Sequence, residues 1–557
     1  MSDTPRRRVI FAGIDGATWD LIHPMVEAGE LPNLAAMIRE GCTGPLTSTV
    51  PPNSSLAWTS FMTGVHPGKH GIFFFREQRP GSYQRPVVSM DSVMAPSIWR
   101  LAADAGRKVA CVTVPLTFPV EKLEDGIMIG GLLTPDRHSD FIHPPELRQE
   151  LEQAIGDVPA DNEPEILFHS ATEDQAIESL WHVIEQITRM SEHILEHHDP
   201  DLFAMVYRQV DLTSHQAWCF QDPEWQAANP GKWEARKDLL AEAYRRVDAG
   251  FGRIRDKAKA MGRDVVFATC SDHGFGPLRY RYYMNKWLLD EGYLVLKDDA
   301  KALTRKLWMQ KKWNGLLRRT GLLKVMTKRG RKIGKGQEQT IMEMIDWSRT
   351  RAYSSFSGGE DIVLINLKGR EPEGIVEPGA EYEALREEIM AKVVGMRATD
   401  GGKVIARAFK REDLWDGEQV FNAPDIQCVT VETANNMSPH PLHPVVAEPA
   451  VEGRPAMHRT QGIYGFEGEG IIKKGERVAG PQIADMATTM LHLLGLPIED
   501  YMDGRVMEDC FTDEFRAANP VQVREGHVEL RKRAFEGGPG EDDEKLIETM
   551  KALGYME

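Results

Sequence analysis

Six short apolar runs, at 9–14, 108–114, 202–207, 264–269, 361–366 and 426–431, alternate with stretches such as 97–105 and 174–196 that carry apolar residues at helical spacing. This alternation most constrains the fold. Strand-length runs separated by amphipathic helices predict an α/β fold with a largely parallel central sheet and helices on both faces. At 557 residues the chain exceeds what one simple core usually holds, so one large domain with insertions, or two to three domains, is expected. In such sheets ligands gather outside the carboxyl ends of the strands, so functional residues should follow strands directly.

Three runs meet that expectation. The first ends in Asp15-Gly16; 202–207 is followed by Asp211 and His215 within DLTSH; 264–269 leads through Cys270-Ser271 to Asp272-His273-Gly274. Each piece alone has an ordinary reading: Asp15 as a strand-ending turn residue, Asp211 as a helix N-cap with His215 on the first turn, Asp272-His273-Gly274 as a turn. Together they set carboxylates and imidazoles at three strand mouths. That mixture suits a borderline cation such as Zn²⁺ or Mn²⁺ better than Ca²⁺, which prefers oxygen alone. Five such ligands are too many for one ion with an open position and suggest two ions about 4 Å apart, the clamp used for in-line phosphoryl transfer.

The segment 48–64 reads as an extended Pro51-Pro52 stretch followed by a helix start at Ser54 or Ser55. Ser54 has two readings. It could be the helix N-cap, or a hydroxyl beside free backbone N–H groups that hold a phosphate oxygen, activated by a nearby cation.

The stretch 9–71, with VIFAGIDG, LPNLAAMIREG and STVPPNSSLAWTSFMTGVHPGKHG, resembles the opening of the type I phosphodiesterase/nucleotide pyrophosphatase family of the alkaline phosphatase superfamily. The likeness continues in order through DLFAMVYRQVDLTSH, VVFATCSDHGFGP, IDWSRTRAYSS, INLKGREPEGIV, MHRTQGIYGFEGEGI and IADMATTMLHLLGLP, about residues 8–510. It implies an alkaline-phosphatase-like catalytic domain over 1–510 and two divalent ions, zinc first, with Mn²⁺ or Fe also compatible. One ion would be held by Asp15, Asp272, His273 and Ser54, the other by Asp211, His215 and His458. His458 comes only from the resemblance, since His440 and His443 lie in a loop before it. The resemblance makes Ser54 the nucleophile of a hydrolase that cleaves phosphodiester or phosphoanhydride bonds of a small phosphate ester through a phosphoseryl intermediate; a nucleotide or lipid-headgroup substrate is among those open, and the sequence does not reveal the leaving group. One position departs from the family: where an Asn is expected shortly after His70-Gly71-Ile72, the chain has Phe73-Phe74-Phe75. A phosphomonoesterase, phosphonate hydrolase or phosphotransferase therefore stays open. The Cys-x-Pro-x-Arg motif of sulfatases is replaced by Pro52-Asn53-Ser54-Ser55, which counts against sulfate esters.

The remaining features bound partners and location. The net charge of −17 is diffuse, so no stable nucleic-acid binding is expected. Against it stands 301–336, with 13 basic residues, no acidic one, and Trp308 and Trp313 among leucines. It reads as solvated helical faces, as a cap that attracts anionic substrate, or as a peripheral contact with an anionic membrane. An inactive scaffold that binds a partner through this segment is the reading from another class. Insertions are expected at about 135–200, as a cap, and 295–345, as a basic amphipathic segment, with a charged tail at 511–557. Six scattered cysteines without a CxxC pair suit reduced thiols. With no signal peptide and no long apolar span, the expected location is cytoplasmic. Oligomeric state has no sequence signature.

Overall fold

The computed structural model describes residues 6–161, 173–231, 234, 236–262, 264–300, 337–357, 359–431, 436–450 and 456–526. Nine strands form its central sheet: β1 (Arg8–Ile14), β2 (Cys42–Thr47), β3 (Val109–Val112), β4 (Ile127–Ile129), β5 (Ile142–His143), β6 (Leu202–Tyr207), β7 (Val265–Cys270), β8 (Gln461–Glu467) and β9 (Glu476–Arg477). Their order across the sheet is β9-β2-β8-β7-β1-β6-β3-β4-β5. All run the same way except β8 and the edge strand β5.

Helices cover both faces, as the alternation predicts. The helices used below are α1 (Pro32–Glu40), α2 (Ser54–Thr63), α3 (Ile98–Asp104), α4 (Leu147–Ile155), α5 (Glu173–His197), α6 (Gln209–Ala217), α7 (Leu239–Ala260) and α8 (Ile483–Leu493). Successive strand side chains point to opposite faces, so β1 feeds two cores at once. Val9 and Phe11 pack with Trp58 and Phe61 of α2, Trp99 of α3 and Met486 and Met490 of α8. Ile10, Ala12 and Ile14 pack with Leu34 of α1, Ile187 and Met190 of α5, and Tyr244 and Phe251 of α7.

The fifth and sixth apolar runs depart from expectation. They become Ile362–Ile365 and Ile426–Thr430 of a separate, wholly antiparallel four-stranded sheet with Ala352–Tyr353 and Ile405–Lys410. A buried apolar run specifies a strand, but neither its partner nor its direction. This sheet and the helix Ala380–Val393 form a third core, with Tyr282, Trp347 and Tyr353. A central strand, β8, was not among the runs because Gly462 and Gly465 interrupt its apolar pattern; the glycines are required, since a Cβ at Gly462 would stand 2.5 Å from Ser271 Oγ.

Parts of two of the expected additions are described. Where described, the stretch expected as a cap at 135–200 supplies edge strand β5, α4 and the face-covering helix α5, so it belongs to the sheet and its helical layer. At the C-terminal end, within 511–526, Phe511 and Phe515 are buried in the first core, and Val523–Arg524 pairs with Ile498–Glu499. The basic segment 301–336 and residues 527–557 lie outside the described residues. All six cysteines are buried and unbridged. Among the described residues no helix is long and apolar enough to cross a membrane.

Phe61 joins α2 to the sheet: its ring centroid lies 4.6 Å from Phe11 and 5.2 Å from Trp58. Phe61→Ala is expected to destabilise the protein by about 3–5 kcal/mol, because the cavity left at this buried site cannot collapse fully. A lowered denaturant midpoint checks this; an unchanged midpoint would mean that α2 is anchored elsewhere.

Candidate active site

The strands β7, β1 and β6 are neighbours, so the segments that leave their carboxyl ends meet. Asp15 follows β1 directly, and its N–H donates to the Tyr207 carbonyl at 2.9 Å. Gly16 then turns at φ +68°, and its N–H donates to Asp272 Oδ1 at 3.2 Å. Glycine is needed there twice over, for the positive φ and because a Cβ would lie 3.1 Å from Asp211 Cβ. Past β6, α6 carries Asp211 and His215 one turn apart on one helix face. Asp211 lies inside the first turn and is not the N-cap, a position held by Arg208.

Ser54 is likewise free of capping duty. The cap of α2 is Asn53, whose Oδ1 accepts from the Ser55 N–H at 3.0 Å and the Ser55 hydroxyl at 2.6 Å. The Ser54 hydroxyl, fully buried, instead lies 3.1 Å from His273 Nε2.

Six side chains converge in two groups. In the first, His273 Nε2 lies 3.2 Å from Asp272 Oδ2 and 3.9 Å from Asp15 Oδ1. In the second, Asp211 Oδ1 lies 3.5 Å from His215 Nε2 and 3.4 Å from His458 Nε2, and those two nitrogens are 3.0 Å apart. Within each group the three candidate ligand atoms lie within 4.8 Å of one another. The groups adjoin, since the rings of His273 and His458 stack at 3.7 Å. His458 reaches the site on the strand Ala456–Arg459, which pairs antiparallel with Gly274–Pro277 and sets His458 opposite Phe275. All seven candidate residues are therefore brought together. No strand-end signal marks His458, because its position depends on that long-range ladder.

Hydrogen bonds behind the groups set their chemistry. His273 Nδ1–H donates to the Gly274 carbonyl and His458 Nδ1–H to the Pro52 carbonyl, both at 3.0 Å. A carbonyl can only accept, so in the neutral rings the Nε2 lone pairs face the site. Trp58 Nε1–H donates to Asp15 Oδ2 at 2.9 Å. Trp58 and Asn53 are contributors that sequence reasoning left without a role, although both lie in the motif around Ser54.

The site carries concentrated buried charge. Burial and the nearby Asp272 and Asp211 raise the Asp15 carboxyl well above its ordinary value. Burial and Asp211 push Asp272 up to about 6. Burial, with His458 beside it, holds His273 well below the ordinary imidazole value. Burial also pushes Asp211 up, but the imidazoles of His215, His458 and His273 outweigh it and hold this carboxyl low. Asp15 Oδ1 and Asp272 Oδ2 are buried and accept no hydrogen bond. Buried acceptors without donors, beside imidazole lone pairs, are what a divalent cation satisfies, so these residues fit such ions.

A cavity opens against His458, lined also by Asn53, Phe74, Asp361 and Thr430. Phe74 belongs to the aromatic run that replaces the expected Asn. Asp361 accepts from the Tyr282 hydroxyl, and burial pushes its carboxyl up to about 7.

A family model described as type I phosphodiesterase / nucleotide pyrophosphatase matches residues 9–433. The match includes every candidate residue except His458, which stands on the geometry above. Two solved structures of phosphonoacetate hydrolase from Sinorhizobium meliloti 1021, one in complex with phosphonoformate and one with phosphonoacetate, are similar to this chain. Each has a TM-score of 0.53 at 13% identity and covers 88% of this chain and 96% of its own. At that identity the likeness is one of fold, and it is alkaline-phosphatase-like. No curated protein matches the sequence.

Trp58→Phe keeps the ring packing but removes the donor to Asp15. Divalent-ion affinity is expected to fall by about 10- to 100-fold, the usual effect of losing a hydrogen bond that orients a ligand. Competition with a chromophoric chelator measures it, and unchanged affinity would exclude Trp58 as a positioning residue. Asp361 gives a pH prediction. Its folded value of about 7 lies above that of the unfolded chain, so the folded state binds this proton more tightly. Its contribution to stability is present at low pH and is lost as pH rises to 7. Thermal midpoints of Asp361→Asn should vary less with pH across that window than those of the parent; parallel curves would refute the shift.

Proposed function

The chain belongs to the type I phosphodiesterase / nucleotide pyrophosphatase family, which makes it a phosphoester hydrolase of the alkaline phosphatase superfamily, and from that premise we propose that it cleaves phosphodiester or phosphoanhydride bonds with Ser54 as nucleophile. The observation that carries this reading is the placement of an uncapped, buried serine hydroxyl 3.1 Å from His273 Nε2, beside two three-ligand groups. In this reading Asp15, Ser54, Asp272 and His273 hold one divalent ion, and Asp211, His215 and His458 hold another, with zinc the first choice for such donors. When bound, the ions supply Lewis acidity and offset negative charge on the phosphoryl oxygens.

The chain's own residues do the rest. Ser54 opens α2, so the phosphoryl group meets the positive end of a helix as the Ser54 oxygen attacks. In-line attack sends the leaving oxygen to the side of phosphorus opposite Ser54, and in this reading the group of Asp211, His215 and His458, which the cavity adjoins, receives it. The phosphoryl group, still carrying its other ester substituent, rests on Ser54 Oγ until water attacks phosphorus, breaks the bond to Oγ and releases the phosphomonoester, with a proton returned to the serine. Trp58 fixes Asp15, and the Gly274 and Pro52 carbonyls fix the tautomers of His273 and His458. One observation favours a second reading, in which phosphomonoesters or phosphonates are the substrates. Phe73, Phe74 and Phe75 are all buried, so the position expected to carry an Asn against the phosphoryl group carries hydrocarbon.

The test is hydrolysis of bis-p-nitrophenyl phosphate and p-nitrophenyl phosphate, side by side, by the metal-loaded protein. The diester should be preferred, a chelator should abolish turnover, and Ser54→Ala should lower kcat by about 10⁴-fold, as expected for a nucleophile. A monoester preference would move the assignment to the second reading. Turnover by Ser54→Ala within tenfold of the parent would remove Ser54 from the chemistry.

A further inference from the structure

A second meeting of imidazole and carboxylate lies at the other end of the sheet. His193 Nε2 and His198 Nε2 each lie 2.7 Å from the same oxygen, Glu150 Oε1. The three donor atoms fall within 4.8 Å of one another. His198 precedes β6, whereas the catalytic groups follow it, so the two locations are separated by the length of the strand.

Local structure holds this cluster in place. The His198 N–H continues the helical ladder of α5 by donating to the Ile194 carbonyl at 2.9 Å, and Asp199, at φ +49°, then turns the chain toward β6. On α4, Leu147, Leu151 and Ile155 recur every four residues and are buried in the core that holds Ile187, Met190 and Ile194 of α5. This stripe seats α4 on the α5 layer and leaves Glu150 on its flank. Arg189 of α5 fixes the far end of α4 by donating to the Ile155 carbonyl at 3.0 Å. The side chain of His193 is only 16% exposed, and its ring packs 4.4 Å from that of His197. Glu150 and His198 also line a cleft with Lys108, His143 and Pro200.

An ordinary ion pair needs one imidazole on the carboxylate. Here two converge on a single oxygen, one from α5 and one from the residue that follows it, and the carboxylate comes from another helix. We propose that Glu150, His193 and His198 form a further, non-catalytic site for a first-row divalent transition ion such as zinc, which ties α4 to α5. Two imidazoles and one carboxylate are an established donor set for zinc, and Glu150 and His198 border the cleft from which an ion could enter.

The probe is zinc itself. Full-length protein is loaded with zinc, freed of excess by desalting, and its metal content per chain is measured by mass spectrometry. Glu150→Gln and the double variant His193→Gln/His198→Gln are compared with the parent. Glu150→Gln preserves side-chain size and the apolar stripe of α4, so one comparison stands even if the double variant folds poorly. The expected result is one ion fewer per chain in each variant, with unchanged hydrolysis of bis-p-nitrophenyl phosphate. Adding zinc to the desalted protein should raise the thermal midpoint of the parent beyond that of the variants. Equal ion counts, or a difference seen only at millimolar zinc, would overturn the proposal. So would a parallel loss of hydrolysis, which would place the missing ion in the catalytic centre.

Discussion

The close approach of Asp15, Asp211 and Asp272 in a buried site is unfavourable on its own, and much of the fold serves to enforce it. Adjacent strands in a sheet lie about 5 Å apart, so the order β7-β1-β6 brings the residues just beyond three strand ends within reach of one another. The linking segments leave little slack. Asp15 is pinned by a backbone bond to Tyr207 and by the Trp58 indole, and Gly16, at positive φ, passes so close to Asp211 that a Cβ would press on it at 3.1 Å. The entry to α6 is pinned by Arg208, whose Nε–H donates to Asp161 Oδ2 at 2.8 Å with both side chains fully buried. A buried pair like this is weak evidence for stability, but it defines where α6 begins. Asp161 belongs to the stretch that the sequence suggested as a cap; here it positions the helix bearing Asp211 and His215.

The same constraint explains what could be read from the residues beforehand. Asp15, Asp211, His215, Asp272 and His273 follow strands within a few positions, so the strand-end rule locates them without knowledge of pairing. His458 sits on a strand of its own, and the ladder that places it joins residues nearly two hundred positions apart. Spacing along the chain carries no trace of such a pairing, and only the family resemblance singled it out among the histidines. The helix start at Ser54 was legible from the Pro-Pro stretch, but its cap was not. Asn and Ser cap about equally well, and the choice of Asn53 is what leaves the Ser54 hydroxyl available.

At the level of the fold, the central sheet was legible where strands alternate with helices. It was not legible where the chain leaves that rhythm. Ile362–Ile365 and Ile426–Thr430 are as apolar as the central strands, yet they pair antiparallel in another sheet. β8, which does enter the central sheet, is disguised by glycines that close packing against Ser271 and Met37 requires. Apolar content reports burial on both faces, and buried antiparallel and buried parallel strands share it.

The aromatic run after His70-Gly71-Ile72 joins the two parts of the molecule and bears on specificity. Ile72 and Phe75 are buried in the core on the α2 face of the central sheet, whereas Phe73 and Phe74 are buried in the third core, with Phe73 against Trp415. Consecutive side chains thus stitch the antiparallel sheet to the catalytic sheet, at the cavity that adjoins His458. A polar amide at Phe73 or Phe74 would have to leave that core or be buried without a partner, at a cost of about 1–3 kcal/mol. The missing Asn is therefore tied to how the antiparallel sheet docks. The cavity beside the candidate ligands sets Val50, Phe74 and Met457 among the polar Asn53, Asp361, Thr430 and Thr460. The position at which an amide is expected thus presents the Phe74 ring to the cavity.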